Sequence, residues 1–298
     1  MELRHLRYFV AVVEAGSLTE AAEKKLHTSQ PSLSRQMRDL EYQVGTELLT
    51  RSAGGVVPTA AGRAFLDHAR LALAQVDAAR EAALRAAQPA KRTFAMGFQT
   101  GTEIDWLPAV TTVLRDELRN IELSVSSDYS PDLANALMRG KLDAALLRVE
   151  PEFPDLSYTP IAQEPLVVLM PSDHHLTAHD EIDPQSLVGE TFISGSRKAT
   201  VLRRVTEDYL RRAGVEITPA HGVDNIAMAI SLVASTRGLS LMPAYAKNLL
   251  PWSVVSRPLK GEVPTIDLVF GYSKTNSSPI LKLFLSRLGE LVSYARPH

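Results

Sequence analysis

The sequence predicts a multidomain α+β chain: a small helical domain closed by a hairpin, one long helix, and a larger α/β part in two lobes. Three observations carry that prediction. Apolar residues recur at i, i+3, i+4 spacing as far as Gly45, and two short apolar pieces around a Gly-Gly turn follow. The stretch from Thr59 to about Ala87 is rich in Ala, Leu and Arg, all strong helix formers. From Thr93 on, apolar runs alternate with helical stretches, which is the α/β pattern.

The first helix buries a face made of Leu3, Leu6, Phe9, Val10 and Val13 and ends at Gly16. Ser17 is placed to cap a second helix, Leu18 to Leu26, with Glu20 three residues on as in a capping box. Its Ala21-Ala22 pair is small enough for a neighbouring helix to come close. His27-Thr28-Ser29 makes a polar turn, and Gln30-Pro31 opens a third helix, where the missing proline N–H costs nothing. Leu33, Met37, Leu40 and Val44 form its inner stripe. Leu48-Leu49 and Val56-Val57 then flank Thr50 to Gly55 as a hairpin, or wing.

Thr59 caps the long helix. Leu66, Ala69, Leu73, Val76, Ala83 and Ala87 fall on 3/4 spacing broken only by Arg80, a seam of about four heptads and roughly 40 Å. Such a seam pairs two copies of the chain; packing on its own domain is the alternative. Beyond Pro89, strands are expected at Thr93–Phe98, Ile121–Ser126, Asp143–Arg148, Leu166–Met170, Thr191–Ser194 and Leu239–Met242, in largely parallel sheets. Helices are expected at Leu107–Arg119, Pro131–Arg139, Thr200–Arg212 and Ile226–Ser235. Roughly 205 residues is large for one sheet. Two lobes follow, with crossovers near Ile161–Pro165 and Thr265–Phe270 and a helix over Pro279–Ala295 returning to the first. The boundaries read from this are 1–58, 59–88 and 92–298, lobe I being 92–162 with 267–298 and lobe II 163–266.

Hydrophobic residues at 45% and charged residues at 22% describe an ordinary soluble globular chain. No stretch nears the roughly 20 apolar residues that span a bilayer, so no membrane partner is expected. The opening MELRHLRYFVAVVEAGSLTE lacks a secretory pattern, so a cytoplasmic protein is expected. The absence of cysteine excludes thiol redox sensing, thiolate catalysis and cysteine-ligated metal. The net charge of −2 gives no sign of nucleic acid. Even residues 1–58 balance seven Lys/Arg (Arg4, Arg7, Lys24, Lys25, Arg35, Arg38, Arg51) against seven Asp/Glu. Counterion release needs clustered cations, so a DNA reading has to rest on placement.

Placement supports it. Gln30, Ser34 and Arg38 recur at i, i+4, i+8 on the polar face of the third helix, with Pro31 and Arg35 beside them. Gln can read adenine and Arg guanine bidentately, while Ser and Pro permit close approach to a duplex. A solvated helix face is the bland alternative for each residue taken singly. The run AGSLTEAAEKKLHTSQPSLSRQMRDLEYQVGTELLTRSAGGVVPTAAG also resembles the LysR-type transcriptional regulators, through SQPSLSRQ followed by LE, G, LL, R and PTAAG at matching spacing. The resemblance spans the chain: winged helix-turn-helix, linker helix, and a two-lobed effector domain like the periplasmic binding proteins. The opening run and the AAEKKLHTSQPSLSRQMRDLE segment look closest to regulators of aromatic-acid catabolism, of the HcaR-like type and then the BenM–CatM–CbnR-like group.

The resemblance implies that Gln30 and Pro31 touch base edges, that Thr28, Ser32, Ser34 and Arg35 meet bases or backbone, and that Arg51 reaches the minor groove or its phosphates from the wing. Ala53-Gly54-Gly55 departs from relatives that carry a second wing cation there. It further implies double-stranded DNA with an inverted-repeat operator, a homodimer or homotetramer, contact with RNA polymerase, and activation. It implies no cofactor and no catalysis. A small organic effector, an aromatic carboxylate such as phenylpropionate, cinnamate or benzoate, would bind between the lobes.

Ligands of open α/β sheets collect beyond the carboxyl ends of strands. The first strand ends at Gln99-Thr100-Gly101-Thr102, Ser130 precedes a helix, Arg148 ends a third strand as a counter-charge, and Ser194-Gly195-Ser196-Arg197 joins a strand to a helix. Helix capping is the alternative for each Ser and Thr. Trp106 and Phe153 are candidate stacking partners, with core packing as the alternative. Asp173-His174-His175 with His179 lacks the spacing of a metal cluster on one element, and no nucleophile elbow or phosphate loop is present. A solute-binding module without DNA function is the competing class; it leaves the N-terminal eighty-odd residues unexplained.

Overall fold

The computed structural model describes residues 1–52, 55–87 and 92–294, in two units, Met1–Leu84 and Arg85–His298. In the first, α1 (Leu3–Ala15) is followed by α2 (Leu18–Glu20), α3 (Gln30–Val44), the antiparallel hairpin β1 (Leu49–Ser52) and β2 (Gly55–Pro58), and α4 (Ala60–Ala87). Ser17 Oγ accepts from the Glu20 amide and opens α2, whose last turn widens into a π segment, Ala21–Lys25. Ala21 and Ala22 are fully buried, and Phe9, Leu33, Met37 and Leu40 close the core between α1 and α3. Leu3 and Val44, read as stripe residues, are 42% and 36% exposed because both lie at helix ends beyond that core.

Two contacts fix the helices to the wing. Glu41 Oε1 accepts from the amides of Leu48 and Leu49 at 2.9 and 3.0 Å, tying α3 to the first wing strand. Val56 N donates to Gly16 O at 2.8 Å, and Gly55 passes so close that an added Cβ would lie 2.6 Å from that oxygen. Thr59 Oγ1 accepts from the Gly62 amide at 2.9 Å and starts α4. Along the seam, Leu66 packs on the domain core with Phe65, whose ring meets Phe9 edge-on, and Ala69 is buried. Leu73 and Val76 stay half-exposed and Ala83 is exposed. The side chain of Ala87 lies outside the described residues.

The second unit opens with β3 (Arg92–Gln99), α5 (Glu103–Val113), β4 (Ile121–Asp128), α6 (Ser130–Met138) and β5 (Ala144–Leu147). The long strand β6 (Leu156–Pro171) then leads to β7 (Ile193–Ser194), α7 (Thr200–Arg212), β8 (His221–Gly222), α8 (Ile226–Thr236), β9 (Ser240–Pro243) and β10 (Val254–Pro258). The strand β11 (Thr265–Ser273) returns to α9 (Pro279–Ser286) and α10 (Leu288–Tyr294). One sheet runs β10-β6-β11-β5-β3-β4, with β9 also on β6. Strands β6 and β11 pair over their whole overlap, with one register shift at Leu268/Val269.

Two cores hang on this ribbon. The first stacks Phe94, Phe284 and Phe270, all fully buried, with ring centroids 5.9 and 5.0 Å apart. Each such ring contributes roughly 1.5–3 kcal/mol by burial. The second packs Val168, Met170, Phe192, Leu239 and Leu241 on one side of the sheet and Val167, Leu169, Ile193 and Val233 on the other.

The expected largely parallel sheets are corrected. Among the strands of the described residues, only β5-β3-β4 and the β7-β8 pair are parallel, with two isolated parallel bridges, Ile182 with Leu259 and Phe192 with Leu239. The reason is that β6 and β11 cross between the lobes in opposite directions and impose antiparallel neighbours. The helix expected at Leu107–Arg119 lies at Glu103–Val113. Thr102 N and Oγ1 both donate to Gln99 O, which starts the turn early, and buried Leu114 ends it by dropping into the core. The single C-terminal helix is broken at Arg287, whose side chain donates to Val113 O at 3.1 Å.

Candidate functional site

The exposed face of α3 is built by its cap. Ser29 Oγ accepts from the Ser32 amide, so the first turn begins at Gln30 with Pro31 behind it. His5 Nδ1 accepts from the Glu2 amide, so Nε2 carries the ring proton and donates to Gln36 Oε1 at 2.9 Å, pinning α1 to α3. Pro31, Ser32, Arg35 and Arg38 are exposed, Gln30 and Ser34 half-exposed, and Thr28 is half-buried at the turn, its amide bound to Ala22 O. Arg51 belongs to β1, and its side chain lies outside the described residues.

Charge pairing explains what the neutral sum concealed. Lys24 is held by Glu20 at 2.8 Å, and Glu14 takes both Lys25 and Arg70 at 3.1 and 3.3 Å. Partial burial pushes Glu14 up, but the hydrogen bonds from Lys25 and Arg70 outweigh it and hold the carboxyl below its ordinary range. Glu41 spends one oxygen on two amides. Arg35 and Arg38 form no ion pair among the described residues. Two cations without an ion pair among the described residues, Arg35 and Arg38, therefore stand on the face of α3, near its positive N-terminus, and Arg7 on α1 is another.

In the second unit a cleft of about 530 Å³, mouth included, opens between the lobes at the carboxyl ends of β3 and β5. Gln99, Thr100, Ser130, Arg148 and Ser196 line it together. Ser130 Oγ donates to Gln99 Oε1 at 2.6 Å and accepts from the Arg148 amide at 2.8 Å, so its hydrogen is already used. The Arg148 guanidinium is paired with buried Glu164, and its other nitrogen faces Ile266 O at 3.5 Å. Burial raises the Glu164 carboxyl above the usual range although Arg148 opposes it. The sequence marked Arg148 as a counter-charge; in the fold that charge is matched from within.

Other expected residues sit elsewhere. Thr102 is fully buried and Gly101 does not line the cleft; at φ +92°, an added Cβ on Gly101 would lie 2.8 Å from the Tyr245 ring. Ser194 and Arg197 line a separate cavity in lobe II with Phe192, Leu210 and Ile217, because the loop before α7 sends successive side chains to opposite sides. Trp106 packs in the lobe I core, and Phe153 is not among the cleft-lining residues.

Sequence reasoning missed Tyr129, Glu150, Lys198, Asn225 and Tyr245, which come from the rims of both lobes. Tyr129 donates to Asp224 O at 2.9 Å and is hydrogen-bonded to Ser196, while Tyr245 donates to Thr100 O at 3.0 Å. Lys198 meets Asp132 at 2.9 Å. Asn225 alone had a readable signal, a helix-capping residue before an apolar run; its Oδ1 accepts from Met228 N.

His174, His175 and Glu190 gather their side-chain donor atoms within 4.8 Å, whereas His179 is not in the group. His174 Nδ1 accepts from Leu176 N, so Nε2 carries the proton and faces Glu190 at 3.4 Å. A metal ligand would need that nitrogen bare, so the trio reads as a loop clamp.

Residues 3–63 match the family described as bacterial regulatory helix-turn-helix protein, lysR family, and residues 87–293 match the LysR substrate binding domain. The chain is 36% identical over 291 residues to the Hca operon transcriptional activator HcaR of Escherichia coli (strain K12), covering 97% of this chain and 98% of that protein. It is 31% identical over 266 residues to the HTH-type transcriptional regulator BenM of Acinetobacter baylyi, covering 87% and 86%. Among solved structures, full-length CbnR complexed with its target DNA aligns with a TM-score of 0.58 at 25% identity, over 99% of this chain and 100% of that one. No described helix is long and apolar enough to cross a membrane.

Proposed function

This chain belongs to the LysR family of DNA-binding transcriptional regulators, and we propose that it activates an aromatic-acid catabolic operon in response to a small aromatic carboxylate held between its lobes. The uncommitted Arg35 and Arg38 on the capped, exposed face of α3 carry the DNA part of this reading. Gln30, Pro31 and Arg35 would address base edges; Thr28, Ser32, Ser34, Arg38 and Arg51 would hold phosphates or the adjoining groove. The resemblance to regulators of aromatic-acid catabolism, set beside this cleft, supports the effector class. Thr100, Gln99 and Ser196, with the N-terminus of α7, are the donors for its carboxylate.

Two α4 helices pair in this reading and set two recognition helices one helical turn of DNA apart, or a multiple of it. A cytoplasmic homotetramer that contacts RNA polymerase completes it, with boundaries at 1–58, 59–88 and 92–298. Effector binding shifts the population between assemblies that bend DNA differently. A mobility-shift titration on an inverted-repeat operator tests the DNA half: a shift that Gln30→Ala with Arg35→Ala abolishes is expected, and no shift at low salt refutes it. A thermal-shift screen of aromatic acids tests the effector half, which fails if only non-aromatic ligands stabilise the protein.

A further inference from the structure

Glu150 is the residue of the cleft whose chemistry the reading above does not use. It follows β5, lines the cleft, and is 5% exposed, yet its Oε1 has no hydrogen-bond partner among the described residues. A buried polar atom left so is uncommon, and in a binding cleft it marks a place for a ligand group. Tyr158, Arg148 and Lys198 are engaged, and Arg204, exposed on α7, forms no ion pair among the described residues. Tyr158 Oη donates to the Glu150 backbone oxygen at 3.2 Å, Arg148 is held by Glu164, and Lys198 by Asp132. The charges that face Glu150 are Glu152 on its own loop and Arg204 on α7.

We propose that Glu150 is a specificity-determining residue that selects effectors bearing a hydroxyl remote from their carboxylate, a phenolic rather than an unsubstituted aromatic acid. The inference rests on the cleft being the effector site. Burial, with Glu152 adding to it, pushes the Glu150 carboxyl up to about 7, so near neutrality it exchanges between acid and carboxylate. A hydroxyl both donates and accepts, so it satisfies either form. A hydrocarbon edge satisfies neither and keeps the desolvation penalty, and a second carboxylate is repelled by the ionised form.

Calorimetric titration of the full-length protein with 3-phenylpropionate and the three ring isomers of 3-(hydroxyphenyl)propionate tests this. One hydroxylated isomer is expected to bind at least about tenfold more tightly than 3-phenylpropionate, with Glu150→Leu erasing that preference and Glu150→Gln keeping part of it. Urea unfolding of both variants shows that they fold. Equal binding of all four acids by the wild type, or a preference that survives Glu150→Leu, overturns the inference and leaves the cleft reading standing. If none of the four binds at millimolar concentration, the aromatic-effector reading falls and this inference with it.

Discussion

Replacing Arg148 with Met removes the cation that Glu164 faces beneath the cleft. Both side chains are buried, at 7% and 11% exposure, and burial already holds Glu164 above its ordinary value of 4.5. Without Arg148 nothing opposes the burial, so the Glu164 carboxyl rises further and folding near neutrality draws a proton onto a group that is ionised in the unfolded chain. Removing one partner of a buried pair in this way costs roughly 3–5 kcal/mol. The sign is that of a raised carboxyl: the folded form binds the extra proton, so the deficit is absent below pH 4.5 and grows as pH rises. Glu164→Leu behaves differently, because a stranded guanidinium does not deprotonate and its penalty is nearly independent of pH. The double variant removes both charges and should recover most of the loss. Urea unfolding at pH 5 and pH 7.5 reads all three. A loss under about 1 kcal/mol for Arg148→Met at pH 7.5, or the same loss at both pH values, refutes the reasoning.

Glu41→Ala strands the Leu48 and Leu49 amides and should destabilise the N-terminal unit by roughly 2–4 kcal/mol, measured by chemical unfolding, with a parallel fall in operator affinity. Arg38→Ala should weaken operator binding across sequences and reduce the salt slope by about 1, read by fluorescence anisotropy at several salt concentrations. Glu150→Gln should flatten the pH dependence of stability between 4.5 and 7, where the raised carboxyl makes the wild type less stable as pH rises. An unchanged slope in paired unfolding curves counts against the burial described for that group.

Much of the fold was legible because local signals agreed with it. Ser29, Pro31 and Gly45 bracket α3 at Gln30–Val44, and the predicted Thr200–Arg212 helix is α7 to the residue. Strand β6 was only partly legible, as Leu166–Met170, since Pro160 and Pro165 interrupt the sixteen-residue strand that the structure forms. Both prolines pair with β11, Pro160 at its register shift, where a missing donor is tolerated. The cleft was legible to the extent that strand ends are: Thr100, Ser130 and Arg148 converge as chain order suggests. Tyr129 and Tyr245 were not, since their partners lie 95 and 145 residues away in sequence. Nor could a charge count reveal which cations Glu14 and Glu20 had already claimed.

The ribbon of β6 and β11 has a consequence for how this domain can be divided. Neither strand belongs to one lobe: Ala162 faces Leu268 near the first core, and Pro165 faces Thr265 near the second. A cut between the lobes would sever a continuous backbone ladder and leave open strand edges on both fragments. The shared ladder couples the stability of the two lobes, so loss of structure in one weakens the other. Opening the cleft means bending and twisting a two-stranded spring with a weak point at Leu268/Val269, where the register slips. The smallest piece that can be excised with the cleft intact is the whole span from β3 to α10.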